Sequence, residues 1–579
     1  MDKQLGKLLR GSAVTPSFFS KDAIVAPPGF NRWRIPPASI AIHLCIGSAY
    51  AWSIFNPALI RLRGVVASAP GDWSLSQVVW VFTVAIVFLG LSAAVAGRWL
   101  ERVGPRTVGL VAAVCWSGGF LLGGLAIWLH QLWLLYLGYG VLGGCGLGLG
   151  YVSPVSTLIR WFPDRRGMAA GMAIMGFGGG AIIATPLQEQ LLRTFYRPPT
   201  HLGAADSVKL VTIEGRRFAE IAGRRQPVVV VSEGEVKQML VQGPPGVYLE
   251  GTGDTGAAAT FSVLGAAYLV VMSAAACSYR LPAPGWQPEH WTPTAAAATN
   301  KRMIATGNVD ADTALVTPQF WLLWIILCFN VTAGIGVLGV AKTMMSDIFG
   351  SSQTSVIGQT LAASYVLMIG VFNMLGRFFW ASASDYLGRQ RTYAIFFGAG
   401  VALYMAIPWI ALQAGDSKSL TWLVLFYAVT MLIFTMYGGG FATIPAYLAD
   451  LFGTRYVGAI HGRLLTAWST AGVLGPVALT WLREQSQQQA IAQLAQLVSP
   501  SGFAERFGAP SDQLPLLVQQ KTVNIAKLLD LAPPGTPDPT CTLYNTTMYL
   551  MAALLAVGFI ANALVRPVAA RHQLAEAPR

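Results

Sequence analysis

Twelve blocks of about twenty mostly apolar residues punctuate this chain, and a block of that length has few fates open to it. At 1.5 Å of rise per residue, a twenty-residue helix covers ~30 Å, the hydrocarbon thickness of a bilayer, and satisfies its own backbone polar groups without water. The first six blocks run Ile35–Ile60, Leu75–Ala96, Thr107–Leu129, Leu132–Ile159, Met168–Leu192 and Ala257–Ser278. The second six run Pro318–Val340, Val356–Ser382, Thr392–Leu412, Leu420–Leu448, Ile460–Leu482 and Leu543–Leu564. They predict an all-α membrane protein with twelve transmembrane helices. A membrane β-barrel needs alternating segments of about ten residues, a pattern these continuous runs lack.

Only 11% of the 579 residues are charged and 54% are hydrophobic, against roughly 25% charged in a soluble chain. Segment 1–34 is basic and Pro-containing, with no apolar core ahead of a cleavage site, so it predicts a tail rather than a signal peptide. Arg98, Arg102 and Arg106 fall between predicted helices 2 and 3, Arg160, Arg165 and Arg166 between 4 and 5, and Arg389 and Arg391 between 8 and 9. The opposite loops hold little: nothing after helix 3, Lys342 after helix 7, Lys418 after helix 9. Arg61 and Arg63 run against this bias, and the basic tail outweighs them. The positive-inside rule then places both termini in the cytoplasm of an inner or plasma membrane. The net charge of +13 is scattered over loops, which argues against a nucleic-acid partner. Five cysteines lie inside predicted helices, and no CxxC or His-containing cluster stands out, so neither metal nor cofactor is expected.

The chain repeats itself. Glu101-x-x-Gly104-x-Arg106 follows helix 2 and Asp385-x-x-Gly388-Arg389 follows helix 8; Arg160-Trp161-Phe162-Pro163-Asp164-Arg165 ends helix 4 and Asp450-Leu451-Phe452-Gly453-Thr454-Arg455 ends helix 10. Long polar insertions, 193–256 and 483–542, follow helices 5 and 11 on the outer side. Two pseudo-symmetric six-helix bundles follow, 35–279 and 318–566, joined by a linker at 280–317 and ending in a tail at 567–579. Within the first insertion Val228–Val231 suggests one short strand, and in the second Gln485–Gln496 suggests a helix. The acid-Gly-Arg loop resembles the signature of the major facilitator superfamily, whose halves rock about a site at mid-membrane. Its physical logic is a latch in which an acid accepts hydrogen bonds from a helix N-terminus and pairs with arginines. Glu101 is expected to face the start of helix 11 near Arg463, and Asp385 the start of helix 5 near Arg165 and Arg166, with Arg106 and Arg389 as the loop cations. Gly438-Gly439-Gly440 with Pro445 marks helix 10 as a hinge or as a close-packing site.

Arg377 carries the most chemistry. It stands eight residues before Asp385, about 12 Å inside helix 8, where a charge costs at least ~2.5–3.5 kcal/mol on insertion scales. No acid in helix 8 is placed to answer it, so its expected partner is an anionic substrate. A guanidinium fork matches a carboxylate with two parallel hydrogen bonds.

Ser48-Ala49-Tyr50-Ala51-Trp52, Arg160-Trp161-Phe162-Pro163-Asp164-Arg165-Arg166-Gly167, Thr317-Pro318-Gln319-Phe320-Trp321 and Phe378-Phe379-Trp380 leading to Asp385 resemble the oxalate/formate antiporter family over nearly all spans. The resemblance implies that Arg377 matches that family's helix 8 arginine, which works with a helix 11 lysine to clamp a dicarboxylate. The lysine position here is Trp468. One cation of the clamp is missing, which favours a monocarboxylate of the formate, lactate or pyruvate type, because a second carboxylate would sit unpaired. The same resemblance implies an aromatic cage of Tyr50, Trp52, Tyr151, Phe177, Tyr437, Phe441 and Trp468. Animal monocarboxylate carriers place an acid one turn before the arginine; here that residue is Asn373, leaving anion exchange, or proton coupling through His43, which otherwise reads as a structural histidine.

These residues predict a secondary transporter of small organic anions that works as a monomer in the lipid bilayer, and not an enzyme. The alternatives are an oxalate/formate antiporter proper, an exporter of hydrophobic solutes, or a transporter-like sensor.

Overall fold

The computed structural model describes residues 18–574 except 214–215, 232–238, 290–304, 306, 350–355, 418, 508–509, 520–522, 524 and 530. Eleven helices among the described residues are long and apolar enough to cross a membrane. The first group comprises α1 (Arg32–Ile54), α2 (Leu75–Val103), α3 (Pro105–Trp128), α4 (Leu132–Trp161), α5 (Arg166–Phe195) and α6 (Ala257–Cys277). The second comprises α7 (Pro318–Phe349), α8 (Val356–Leu387), α9 (Arg389–Ser417), α10 (Leu420–Phe452), α11 (Val457–Leu497) and α12 (Asn545–Leu564). The twelfth helix, α8, carries Asn373, Arg377 and Asp385 along its length.

Helix ends follow local chemistry. Ser74 and Gln77 form a reciprocal cap at the start of α2. The glycines of the repeated loops, Gly104 and Gly388, adopt φ of +85° and +86°, a conformation costly for any residue with a Cβ. Each lets the chain turn sharply into the next helix, which explains why glycine stands three residues after the acid in both copies.

The halves meet along two symmetry-related helix pairs, α5 against α8 and α2 against α11, while α8 also packs on α10 inside its own half. Helix α10 runs unbroken through Gly438-Gly439-Gly440. A Cβ at these positions would collide with Asn373, Trp380 and Asn330 in turn, so the three glycines seat neighbouring side chains.

The first insertion holds more order than a single strand. It forms a five-stranded antiparallel sheet, β1 (His201–Gly203), β2 (Leu210–Ile213), β3 (Arg216–Ile221), β4 (Arg224–Val231) and β5 (Gly246–Leu249), in the order β1-β5-β4-β3-β2. Val228–Val231 lies in β4, paired with Gly246–Leu249 of β5. The other strands escape a hydrophobicity reading because they run only three to six residues, and the sheet pairing is what makes them strands. Val231, Met239 and Tyr248 anchor the sheet on Val66 of the α1–α2 connection. The glutamine-rich segment continues α11 to Leu497 rather than forming a helix of its own, burying Ala490, Ile491 and Leu494.

The chain enters and leaves the sheet side by side, with Arg197 and Asp254 exchanging two backbone hydrogen bonds of 2.9 Å. Replacing residues 200–251 with a short Gly-Ser linker should leave the twelve-helix body inserted and monodisperse, its melting temperature within about 4 °C of the parent. Thermal unfolding in detergent measures this, and a larger fall would make the sheet part of the body's stability.

Candidate functional site

Arg377 is 0% exposed, midway along α8 where both halves meet. Its Nε donates to Asn373 Oδ1 one turn earlier at 3.1 Å, and its Nη1 reaches across the interface to the Ile174 carbonyl of α5 at 3.3 Å. Nη2 is buried and makes no hydrogen bond among the described residues. No ion pair to Arg377 occurs among the described residues. Space for the guanidinium comes from glycine: a Cβ at Gly178 would lie 2.8 Å from Arg377 Nε, and one at Gly438 3.1 Å from Arg377 Cγ.

Rings surround the charge. The guanidinium carbon sits 5.7 Å from the Phe177 ring centre and 5.2 Å from that of Phe441, within cation–π range. Trp468 contacts Phe441 at 4.7 Å, Phe177 at 5.3 Å and Tyr151 at 5.3 Å between ring centres. Tyr50 stands edge-on to Phe177 at 5.0 Å, and Tyr437 edge-on to Phe441 at 5.4 Å. The cage thus draws on α1, α4 and α5 from one half and α10 and α11 from the other. The hydroxyls of Tyr50, Tyr151 and Tyr437 and the indole N–H of Trp468 are buried without a well-formed hydrogen bond. Tyr50 lies beside Arg377 and Tyr437. Buried donors with no acceptor cost free energy, and here several lie around one cation that also lacks an acid. Such a set is suited to an anion.

Trp52 is the exception. In the tight turn Ser48–Ile54, three residues per turn carry it away from Tyr50, and its ring lies tilted against that of Tyr139, 4.4 Å between centres, within the first half. It belongs to that half's packing and not to the cage. His43 does lie at the cage, edge-on to Tyr151 at 5.2 Å.

At the end of the bundle bearing the repeated loops, Asp385 accepts from the backbone N–H groups of Gly167 and Met168 at 2.8 and 2.9 Å, the first turn of α5. This is an anion on a helix N-terminus across the interface. Arg389 bridges Asp385 at 2.6 Å and Asp450 at 3.0 Å, and Arg166 returns from the other half to Asp450 at 3.0 Å. Arg165 is exposed at the N-cap of α5 and takes no part in these pairs.

The symmetric copy differs from expectation. Glu101 does point at the start of α11, where a Cβ on Gly458 would meet its Oε1 at 3.0 Å, yet its cation is Arg160 rather than Arg463. Arg463 instead pairs with Asp312 of the linker at 2.7 Å, and Arg98 pairs with the same acid. Arg106 lies over Phe18 of the N-terminal segment, outside the latch. Lys21 donates to the Glu101 carbonyl at 3.0 Å, and burial, then the Arg160 charge, lower its pKa from the usual lysine value. Arg160 and Asp450 occupy matching places in the repeat, so the duplication itself marked both residues; only their ion-pair partners were hidden.

Two six-helix bundles closing on a ring-lined cation have the architecture of a polytopic membrane transporter. Residues 44–199 and 251–476 match the sequence pattern of the Major Facilitator Superfamily, and the chain belongs to that family. The gap in the match spans the five-stranded sheet. The chain is 26% identical over 453 residues to the Oxalobacter formigenes oxalate:formate antiporter, covering 77% of this chain and 83% of that one. It is 24% identical over 480 residues to apicoplast pyruvate carrier 1 of Toxoplasma gondii, covering 73% and 78%. Among solved structures it is similar to a bacterial homologue of the iron transporter ferroportin in its outward-facing state, with a TM-score of 0.51, 12% identity and coverage of 91% and 98%.

Asp385→Asn should speed amide hydrogen exchange at Gly167 and Met168 by about tenfold or more, since hydrogen bonds to charged groups contribute ~1.5–3 kcal/mol. Unchanged exchange there would mean that the latch carries no free energy.

Proposed function

We propose that this transporter carries small monocarboxylates of the formate, lactate or pyruvate type by alternating access. The carrying observation is Arg377, fully buried, free of any described ion pair, and ringed by unsatisfied donors. A monocarboxylate offers one negative charge and two oxygens, which suits one guanidinium with the Tyr50 and Tyr437 hydroxyls beside it. The position taken as the second cation of a dicarboxylate clamp is Trp468, whose ring packs on Phe441, Phe177 and Tyr151. A dicarboxylate would place its second charge against those rings, a desolvation penalty without a partner. The similarity to an oxalate:formate antiporter and a pyruvate carrier supports the carboxylate class.

In this reading the protein is a functional monomer in the cell membrane, both termini and the latch facing the cytoplasm. Anion binding draws the Arg377 face of α8 and the Phe177 face of α5 together. The Asp385 and Glu101 contacts then release, and the halves rock to open the other side.

Counterflow of labelled formate, lactate, pyruvate and oxalate in proteoliposomes tests the proposal. Arg377→Ala should lower monocarboxylate counterflow about 100-fold or more, as expected when a buried charge loses its partner. Trp468→Lys should make oxalate an effective competitor by restoring the second cation. Full transport by Arg377→Ala, or oxalate preference in the parent protein, overturns the reading.

A further inference from the structure

Two histidines from opposite halves lie fully buried on either side of one tyrosine. The His43 ring of α1 is 5.2 Å from that of Tyr151, and the His461 ring of α11 is 5.8 Å from it. Both ring nitrogens of His43 and Nε2 of His461 lack a well-formed hydrogen bond; the backbone at Ala173 and Tyr151 is the polar neighbour closest to serving His43. The Tyr151 hydroxyl is likewise unpartnered. Three proton-bearing groups therefore run from α1 through α4 to α11, across the interface that must part during transport.

Their place beside Arg377 gives the arrangement a direction. His43 and Arg377 share the Phe177 ring, at 6.4 and 5.7 Å, and the guanidinium acts on the imidazole electrostatically. In a site without water, a second positive charge next to an unneutralised guanidinium is costly. A carboxylate on Arg377 cancels that repulsion. By linkage, whatever makes the anion favour a protonated His43 makes the proton favour anion binding by the same factor.

The groups facing this pair are few. Toward His43 come Tyr151 from α4, Arg377 from α8 and His461 from α11, while among the described residues α5 offers Ala173, Gly176 and Phe177. On the other faces of α1, Tyr279 engages Ser39 and Tyr268 engages Ser48. Toward His461 come Tyr151 and His43, and no charged group of α2, α7 or α10 among the described residues acts on it. No carboxylate is present in this set to hold the proton permanently.

We propose that His43 binds one proton together with the carboxylate on Arg377, and that Tyr151 and His461 form its path between the halves. This rests on the anion reading of Arg377. In the step, a proton adds to an imidazole nitrogen lone pair as the anion enters and leaves it when the anion departs, so one proton and one carboxylate move and net charge does not.

The experiment loads the full-length protein into proteoliposomes and follows pyruvate with a pH-reporting dye. A pH gradient alone should drive about tenfold accumulation per pH unit, and a membrane potential alone none, as a neutral pair requires. His43→Gln should lose at least about tenfold of the gradient-driven accumulation, and whatever pyruvate counterflow it keeps should no longer depend on pH; a melting profile in detergent that matches the parent shows that the variant is folded. His461→Gln should slow proton-coupled uptake more than counterflow. Net wild-type pyruvate uptake without dye response, or gradient-driven accumulation that survives in His43→Gln, overturns the relay and leaves the carboxylate reading standing. Loss of counterflow for every carboxylate in the wild type removes both.

Discussion

A guanidinium buried where two helix bundles meet obliges its surroundings to accommodate a charge in a place with almost no water. Arg377 meets that demand with an amide, a backbone carbonyl and two ring faces, and with no described carboxylate. An amide and a carbonyl orient the fork without neutralising it. The positive charge therefore remains available to a guest, and the free energy of neutralising it can be coupled to movement of the halves, because the contacts come from both. Gly178 and Gly438 are the steric counterpart of this electrostatic choice, since side chains there would occupy the space the guanidinium uses.

The latch obeys a different logic. At the loop-bearing end of the bundle, charges are numerous and paired with one another: Asp385 on the α5 N-terminus, Arg389 between two acids, Arg166 closing the circuit from the other half. Each contact is modest, and several must break together for the interface to part there. In the alternating-access reading proposed above, a paired ion network at one end and an unneutralised cation at the centre would bring the two states of the carrier to comparable free energy when the central charge is answered.

Much of this was open to a reader of the chain alone. Apolar runs of twenty residues leave the backbone no alternative to helices in a bilayer, and repetition of Glu101-x-x-Gly104 as Asp385-x-x-Gly388 reveals duplication before any coordinates. The Asp385 contact with the start of α5 also followed, because the acid and the helix N-terminus were both visible. Tyr50 and Trp52 stand on opposite sides of their helix, and only the packing of that helix shows that the Tyr50 side faces Arg377. Arg160 could likewise not be preferred over Arg463 for Glu101, as both are arginines near the same membrane face. The strands of the first insertion are short, and they gain their identity from the partners they pair with in the sheet.

The sequence by itself determined the solvent of this protein, its helical spans, its twofold internal relation and the presence of one charge that lipid would not tolerate. These are properties of local composition, and a bilayer enforces them residue by residue. Tertiary structure alone decided which side chains stand beside that charge, that Tyr50, Phe177, Phe441 and Trp468 converge on it from four helices while Trp52 does not, and that His43 and His461 flank a common tyrosine. Those relations depend on helix rotation and packing between halves separated by hundreds of residues, which no short stretch of chain encodes.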